Sequence, residues 1–112
     1  MSYLELIYYV IGDIINTIQY IEWNLCLKLD IDTLSSITLG QLKTLVIDND
    51  LLKEEDVYDL YKILERRNDL VHKYFKRLDF EKHENNTGFL ENQYRYLLNF
   101  KEQVEEFNEK LL

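Results

Sequence analysis

The sequence contains no proline and only three glycines, Gly12, Gly40 and Gly88, among its 112 residues. Folds built from β-strands need many tight turns, and tight turns draw on glycine and proline. Hydrophobic residues nevertheless make up 46% of the chain, which is enough to bury the core of one domain of ordinary size. The composition therefore predicts a single all-α domain that spans residues 1–112 and is built from long helices.

Cysteine and long hydrophobic runs are also scarce. Cys26 is the one cysteine, which excludes an intramolecular disulfide and a zinc site made of several cysteines. No uncharged apolar run approaches the roughly 20 residues of a membrane span. Glu5 and Asp13 interrupt the first apolar stretch, which is therefore unlike a signal peptide. We expect a cytoplasmic protein that does not act at a membrane.

Motifs for metals and cofactors are missing as well. His83 lies between Glu81 and Glu84 in a polar stretch, but this cluster lacks the number of ligands that a metal site needs. The chain has no glycine-rich phosphate loop and no nucleophile elbow. We therefore expect neither a bound metal nor a cofactor.

Hydrophobic periodicity predicts four helical segments. They cover residues 3–29, 38–47 and 53–79, and a last stretch that follows a loop at residues 82–88. Steps of three and four place apolar residues on one face of each segment, as in amphipathic helices. Four helices joined by short connections favour a four-helix bundle. The predicted stripe of the third segment contains one charged residue: Val57, Leu60, Leu64, Arg67, Val71, Tyr74 and Leu78.

The charge of the chain is uneven. The formal net charge is −8, which disfavours non-specific binding to nucleic acid as a whole. Residues 66–77, however, contain five basic side chains and only one acidic side chain, Asp69. Two interpretations remain open for this basic island, an anion site and a solvated helix face. The basic residues are Arg66, Arg67, Lys73, Lys76 and Arg77.

Several polar residues of the third segment share a face with its apolar residues. At about 100 degrees per residue, Arg67, Asn68, His72 and Tyr74 fall within an arc of roughly 160 degrees. A charge on an apolar face needs a partner, a groove or a second chain. The spacing alone leaves open that Arg67 pairs with a carboxylate of another helix and that His72 is a packing residue.

The run from Arg67 to Phe75, Arg-Asn-Asp-Leu-Val-His-Lys-Tyr-Phe, resembles the signature of HEPN domains (higher eukaryotes and prokaryotes nucleotide-binding). It is similar to the Arg-x4-His-x-Tyr form of HEPN toxins, with asparagine in the second place. The long first helix and residues 38–42 also resemble small bacterial HEPN proteins. The resemblance implies a helical bundle that forms a homodimer, with the motifs of two protomers meeting in a cleft.

In active members, the resemblance implies a metal-independent endoribonuclease of a toxin–antitoxin or antiviral defence system. Arg67, Asn68 and His72 match the catalytic motif. Two histidines, one from each chain, suit the base and the acid of RNA cleavage, and arginine suits a phosphate clamp. The other basic residues would then bind RNA: Arg66, Lys73, Lys76 and Arg77.

Tyr74 matches the tyrosine to which a nucleotidyltransferase antitoxin attaches AMP in toxins of this kind. An anion at this position would occupy the arginine clamp and block RNA. The structural alternative is that Tyr74 continues the apolar stripe, with its hydroxyl at the edge of a groove. For the whole chain, two alternatives remain open. One is a non-catalytic HEPN protein that binds nucleotide, RNA or a protein partner, and the other is a helical interaction module in which the motif is accidental.

Overall fold

The computed structural model describes residues 2–80, 82–83 and 85–112, and over these residues the fold is all-α, without a strand. Within the described residues, no helix combines the length and the apolar character that crossing a membrane requires. The helices in chain order are α1 (Tyr3–Leu29), α2 (Leu39–Asp48), α3 (Glu54–His72), α4 (Tyr74–Leu78) and α5 (Thr87–Leu111). The predicted fold class is confirmed, and the second copy of the chain stays a prediction.

Aspartate ends helices here where many proteins use glycine. Asp30 follows α1 and Asp79 follows α4, and both have left-handed backbone angles with φ of 57° and 47°. Asp50, just beyond α2, is also left-handed with φ of 49°. Aspartate tolerates this region better than most residues. The chain can therefore close its helices with few glycines, and none of its glycines has a positive φ.

The start of α2 is fixed by a capping box, in which two residues satisfy each other's backbone groups. The Thr38 Oγ1 atom accepts a hydrogen bond from the Gln41 backbone N–H at 3.1 Å. In return, the Gln41 Oε1 atom accepts from the Thr38 backbone N–H at 2.9 Å. The sequence predicts a cap at Ser36 or Thr38, and the structure assigns it to Thr38.

Pairs of side chains between helices show how the three long helices run. Along α1 and α5 the pairs advance together, from Tyr3 and Tyr94, with ring centroids 6.0 Å apart, to the hydrogen bond of 2.8 Å between Asn24 and Asn108. These two helices are therefore parallel. The α3 helix runs the opposite way, because Asp56 in its first turn meets Lys110 at the end of α5, whereas Arg66, ten residues further along α3, meets Gln103 in the middle of α5. Helical spacing of apolar residues in the last segment predicts a buried stripe on α5, and the structure buries all of its members: Leu90, Leu97, Phe100, Val104, Phe107 and Leu111.

The predicted third segment, residues 53–79, is wrong as a single helix. It divides into α3 and α4 at Lys73, whose φ of −128° and ψ of −23° leave the helical region. The buried stripe also differs from the prediction, because Ile63 and Leu70 are buried while Val71 is 53% exposed. The reason is that Ile63 and Leu70 lie on the flank of α3 that carries Arg66 and turns toward α5, whereas the described residues leave Val71 largely uncovered.

The α2 helix covers only the first half of α3. A Cβ added at Gly40, near the start of α2, would lie 3.9 Å from the Leu64 Cδ2 atom. Further along α2, Val46 lines one cavity together with Val57 of α3. The two helices are therefore antiparallel, and α2 begins beside Leu64. The next stretch, residues 67–75, lies beyond the reach of α2, and we call it the open segment.

Candidate functional site

The motif residues lie on the open segment. Arg67 is half-buried, and Asn68 and His72 are exposed one turn apart on α3. The Arg67 Nη1 atom donates a hydrogen bond to the Asn68 Oδ1 atom at 3.1 Å. A guanidinium has five N–H donors, so this bond leaves most of them available. The structure thus brings the three motif side chains to one uncovered part of the bundle.

Arg67 lies close enough to Glu22 of α1 for its charge to influence the Glu22 carboxyl group. Burial raises the pKa of the Glu22 carboxyl group above its usual value, and the nearby Arg67 guanidinium opposes that shift. Among the ion pairs between described residues, however, none joins these two side chains. Arg67 therefore lies in the field of a carboxylate from another helix without being neutralised by direct contact.

His72 is the last residue of α3 and is exposed. No side-chain hydrogen bond of the described residues involves its imidazole ring. The alternative of a buried packing histidine therefore does not describe His72. An exposed imidazole at the end of a helix can reach a ligand or a second chain.

The basic island divides into engaged and exposed side chains. The Arg66 guanidinium turns to α5, where it hydrogen bonds to Gln103 and lies 4.5 Å from the centre of the Phe100 ring. The Arg77 Nη1 atom lies 2.7 Å from the Asp69 Oδ1 atom in an ion pair. Besides Arg67, two members remain, Lys73 and Lys76; both are exposed, and no ion pair between described residues involves either of them.

Tyr74 lies in the core, with only 1% of its surface exposed. Its hydroxyl group hydrogen bonds to the Gln93 Oε1 atom at 2.8 Å, and its ring stacks 6.3 Å from the ring of Tyr96. Burial raises the pKa of the Tyr74 hydroxyl. Tyr74 therefore continues the apolar stripe, but its hydroxyl is inside the bundle and not at a groove edge. Gln93 shares the register of the apolar stripe of α5, a signal that the sequence already carried.

Exposed apolar side chains lie on the open segment and on α1, and sequence reasoning did not assign them to the site. Tyr8 and Ile15 on α1 are 55% and 41% exposed, and Val71 is 53% exposed. Tyr8 meets the far end of the open segment, where its ring stacks on Phe75 at 5.9 Å between centroids. Helical spacing could have indicated this exposed surface, because Tyr8 and Ile15 are two turns apart on one flank of α1.

The site can hold a phosphate and exchange a proton, through a guanidinium, an amide and an imidazole. Across the residues that are described, no three potential ligands gather in a way that would bind a metal ion, and Glu81 and Glu84 lie outside them. No protein-family model, curated protein or solved structure matches the chain. The assignment of a function therefore depends on the residues of the site and on the resemblance of the motif.

Proposed function

We propose that this protein is a metal-independent endoribonuclease that cleaves RNA at a site completed by a second copy of the chain. One observation carries the proposal. Arg67, Asn68 and His72 lie together on the part of α3 that α2 leaves uncovered. The resemblance of the same residues to the HEPN signature points to RNA as the substrate.

The proposed chemistry uses one group for each task. A neutral His72 imidazole removes the proton from the 2′-hydroxyl, whose oxygen attacks the adjacent phosphorus atom. A protonated imidazole then gives a proton to the departing 5′-oxygen. Arg67 holds the phosphate and stabilises the negative charge that develops on it. Asn68, already bonded to Arg67, orients the guanidinium or the imidazole.

A second copy of the chain supplies the second imidazole. One protomer places a single histidine on the open segment, whereas the reaction uses a base and an acid. The exposed side chain of Val71 lies within the motif, and burying such apolar surface favours association. A twofold axis near the open segment would therefore bring two motifs together and cover apolar surface in one step.

Single substitutions test the proposed catalytic roles. We expect His72→Ala and Arg67→Ala each to lower RNA cleavage about 10²- to 10⁴-fold, the usual effect of losing an acid–base or charge-stabilising group. His83→Ala is the matched control, because His83 lies outside the motif and its ring stacks on Phe89 at 4.2 Å. Circular dichroism checks that each variant folds.

The products and the metal requirement provide the second test. Cleavage should persist in EDTA and leave a 2′,3′-cyclic phosphate, which mass spectrometry identifies, because the 2′-hydroxyl is the nucleophile. Cleavage that occurs only with added magnesium would show that the mechanism is wrong. Sedimentation at micromolar concentration should show a dimer, and a monomer at all concentrations that support cleavage would contradict the composite site.

The biological setting that we propose is a toxin–antitoxin or antiviral defence system, with a nucleotidyltransferase as a candidate partner. In such a system, the nucleotidyltransferase would inhibit the protein by attaching AMP to Tyr74. Because the Tyr74 hydroxyl is buried and bonded to Gln93, α4 must move away from α5 before any enzyme can reach it. Mass spectrometry of the protein produced with its partner enzyme tests this step, and an unmodified Tyr74 in inhibited protein would contradict it.

The charge distribution favours a second candidate, a HEPN protein that binds RNA, nucleotide or a protein partner without cleavage. Arg66 and Arg77 are engaged within the chain, and the net charge is −8, so the positive surface is smaller than the sequence alone indicates. The cleavage assay separates the two candidates. Binding of RNA by a dimer that leaves the RNA intact would favour the second.

A further inference from the structure

Two aromatic rings form an exposed pair at the far end of the open segment. The rings of Tyr8 and Phe75 are nearly parallel, with an angle of 22° between their planes and 5.9 Å between centroids. Tyr8 is 55% exposed and Phe75 is 37% exposed. Exposed rings of this size leave apolar surface in water, a cost that a flat ligand can remove.

Two further aromatic rings hold the Phe75 ring in place. The ring of Phe80 lies 5.0 Å from it, and the buried ring of Tyr74 meets it edge-on at 5.5 Å. A ring fixed in this way loses little side-chain entropy when a ligand stacks on it. The pair is therefore a preorganised surface and not a flexible side chain that happens to be exposed.

The segment of the chain that carries Phe75 is basic. Phe75 follows His72 by three residues, and two exposed lysines, Lys73 and Lys76, flank it in the chain. Aromatic rings beside cations are the combination by which proteins bind single-stranded nucleic acids, because bases stack on the rings while the cations follow the phosphates. A protein partner would gain from the rings as well, but it would not need the neighbouring positive charge.

We infer that Tyr8 and Phe75 form a stacking platform for an unpaired base next to the phosphate held by Arg67. This inference rests on the proposed function and makes it more specific, because it selects single-stranded RNA as the substrate. Bases in a duplex are stacked on each other and present only their edges, so a duplex cannot use the platform. The platform would place the base that adjoins the scissile phosphate.

Binding of a cleavage-resistant probe tests the platform separately from catalysis. The probe is a fluorescent 12-nucleotide 2′-O-methyl RNA, used as a single strand and as a duplex, with binding followed by anisotropy. We expect Phe75→Leu and Tyr8→Leu each to weaken single-strand binding about 5- to 100-fold, while Phe75→Tyr and Tyr8→Phe retain it. Tyr58→Leu is the matched control, since Tyr58 is 59% exposed elsewhere on α3.

Each outcome decides the inference. Weaker binding in both leucine variants, with the aromatic variants and the Tyr58 control unchanged, would support the platform. Equal affinities in all variants, or no preference for the single strand, would overturn it. Loss of the dimer in the leucine variants, seen by sedimentation, would instead assign the rings to a subunit interface. If the platform is supported but unmodified RNA stays intact, the proposed catalytic function fails while the binding site stands.

Discussion

Replacing Tyr74 with phenylalanine removes one oxygen atom from the core and leaves the ring in place. That oxygen forms the hydrogen bond of 2.8 Å to the Gln93 Oε1 atom, which links α4 to α5. The Tyr74 ring itself stays packed against the ring of Phe80, 5.5 Å away. The substitution therefore tests the hydrogen bond without opening a cavity of appreciable size.

The expected loss of stability follows from the burial of the two partners. A hydrogen bond within a protein contributes about 0.5–1.5 kcal/mol net, and a buried acceptor that loses its partner costs more. Gln93 is only half-buried, so water can reach its oxygen and limit the penalty. We therefore expect Tyr74→Phe to lower the free energy of unfolding by about 1 kcal/mol, which corresponds to a fall in Tm of roughly 4 °C.

Urea denaturation followed by circular dichroism measures this loss at pH 7. The matched control is Tyr96→Phe, because the Tyr96 ring stacks on Tyr74 but is 39% exposed. The Tyr96 hydroxyl takes part in none of the side-chain hydrogen bonds of the described residues, so the control should change stability by less than about 0.5 kcal/mol. Equal stabilities for Tyr74→Phe and the wild type would refute the contribution of the buried hydrogen bond.

The same variant gives a second signature at high pH. Burial, aided by the Tyr96 hydroxyl and opposed by Arg77, raises the pKa of Tyr74 in the folded chain. In the unfolded chain a tyrosine has a pKa of about 10. Above pH 10 the unfolded chain therefore releases the Tyr74 hydroxyl proton while the folded chain keeps it. The wild type then loses up to about 1.4 kcal/mol of stability per pH unit from Tyr74. The advantage of the wild type over Tyr74→Phe should shrink above pH 10, and a constant difference would contradict the assignment.

Three further predictions concern stability. Gly12→Ala should stabilise the protein by up to about 1 kcal/mol in thermal unfolding, because alanine favours a helix interior and a Cβ at Gly12 meets nothing within 4 Å. Thr38→Ala should lower the free energy of unfolding by about 1 kcal/mol through loss of the capping box, whereas Ser36→Ala should leave it unchanged. A larger loss from Ser36→Ala than from Thr38→Ala would show that Ser36 is the N-cap. Arg66→Ala should lower the free energy of unfolding by about 1–2 kcal/mol and change RNA affinity by less than about twofold, because the Arg66 guanidinium packs on α5. A loss of RNA affinity without a loss of stability would instead assign Arg66 to RNA binding.

Features that depend on neighbouring residues along the chain are predictable from the sequence alone. The bounds of α1 and the buried stripe of α5 follow from apolar residues repeating at helical spacing. The sequence limits the N-cap of α2 to Ser36 or Thr38, and the capping box with Gln41 selects Thr38. The grouping of Arg67, Asn68 and His72 on one part of α3 is likewise a consequence of helical spacing. The catalytic roles of these residues stay a prediction.

Packing between the helices sets which side of α3 is buried and which of its side chains have partners. Periodicity places Val71 and Ile63 near the same face, but burial depends on where α5 and α2 lie, and α2 begins only beside Leu64. The sequence likewise does not predict that the Arg66 side chain turns toward α5, since its contacts there join residues far apart in the chain. Local spacing fixes the angle at which a side chain leaves its helix, and only the packing of the other helices determines what that side chain meets.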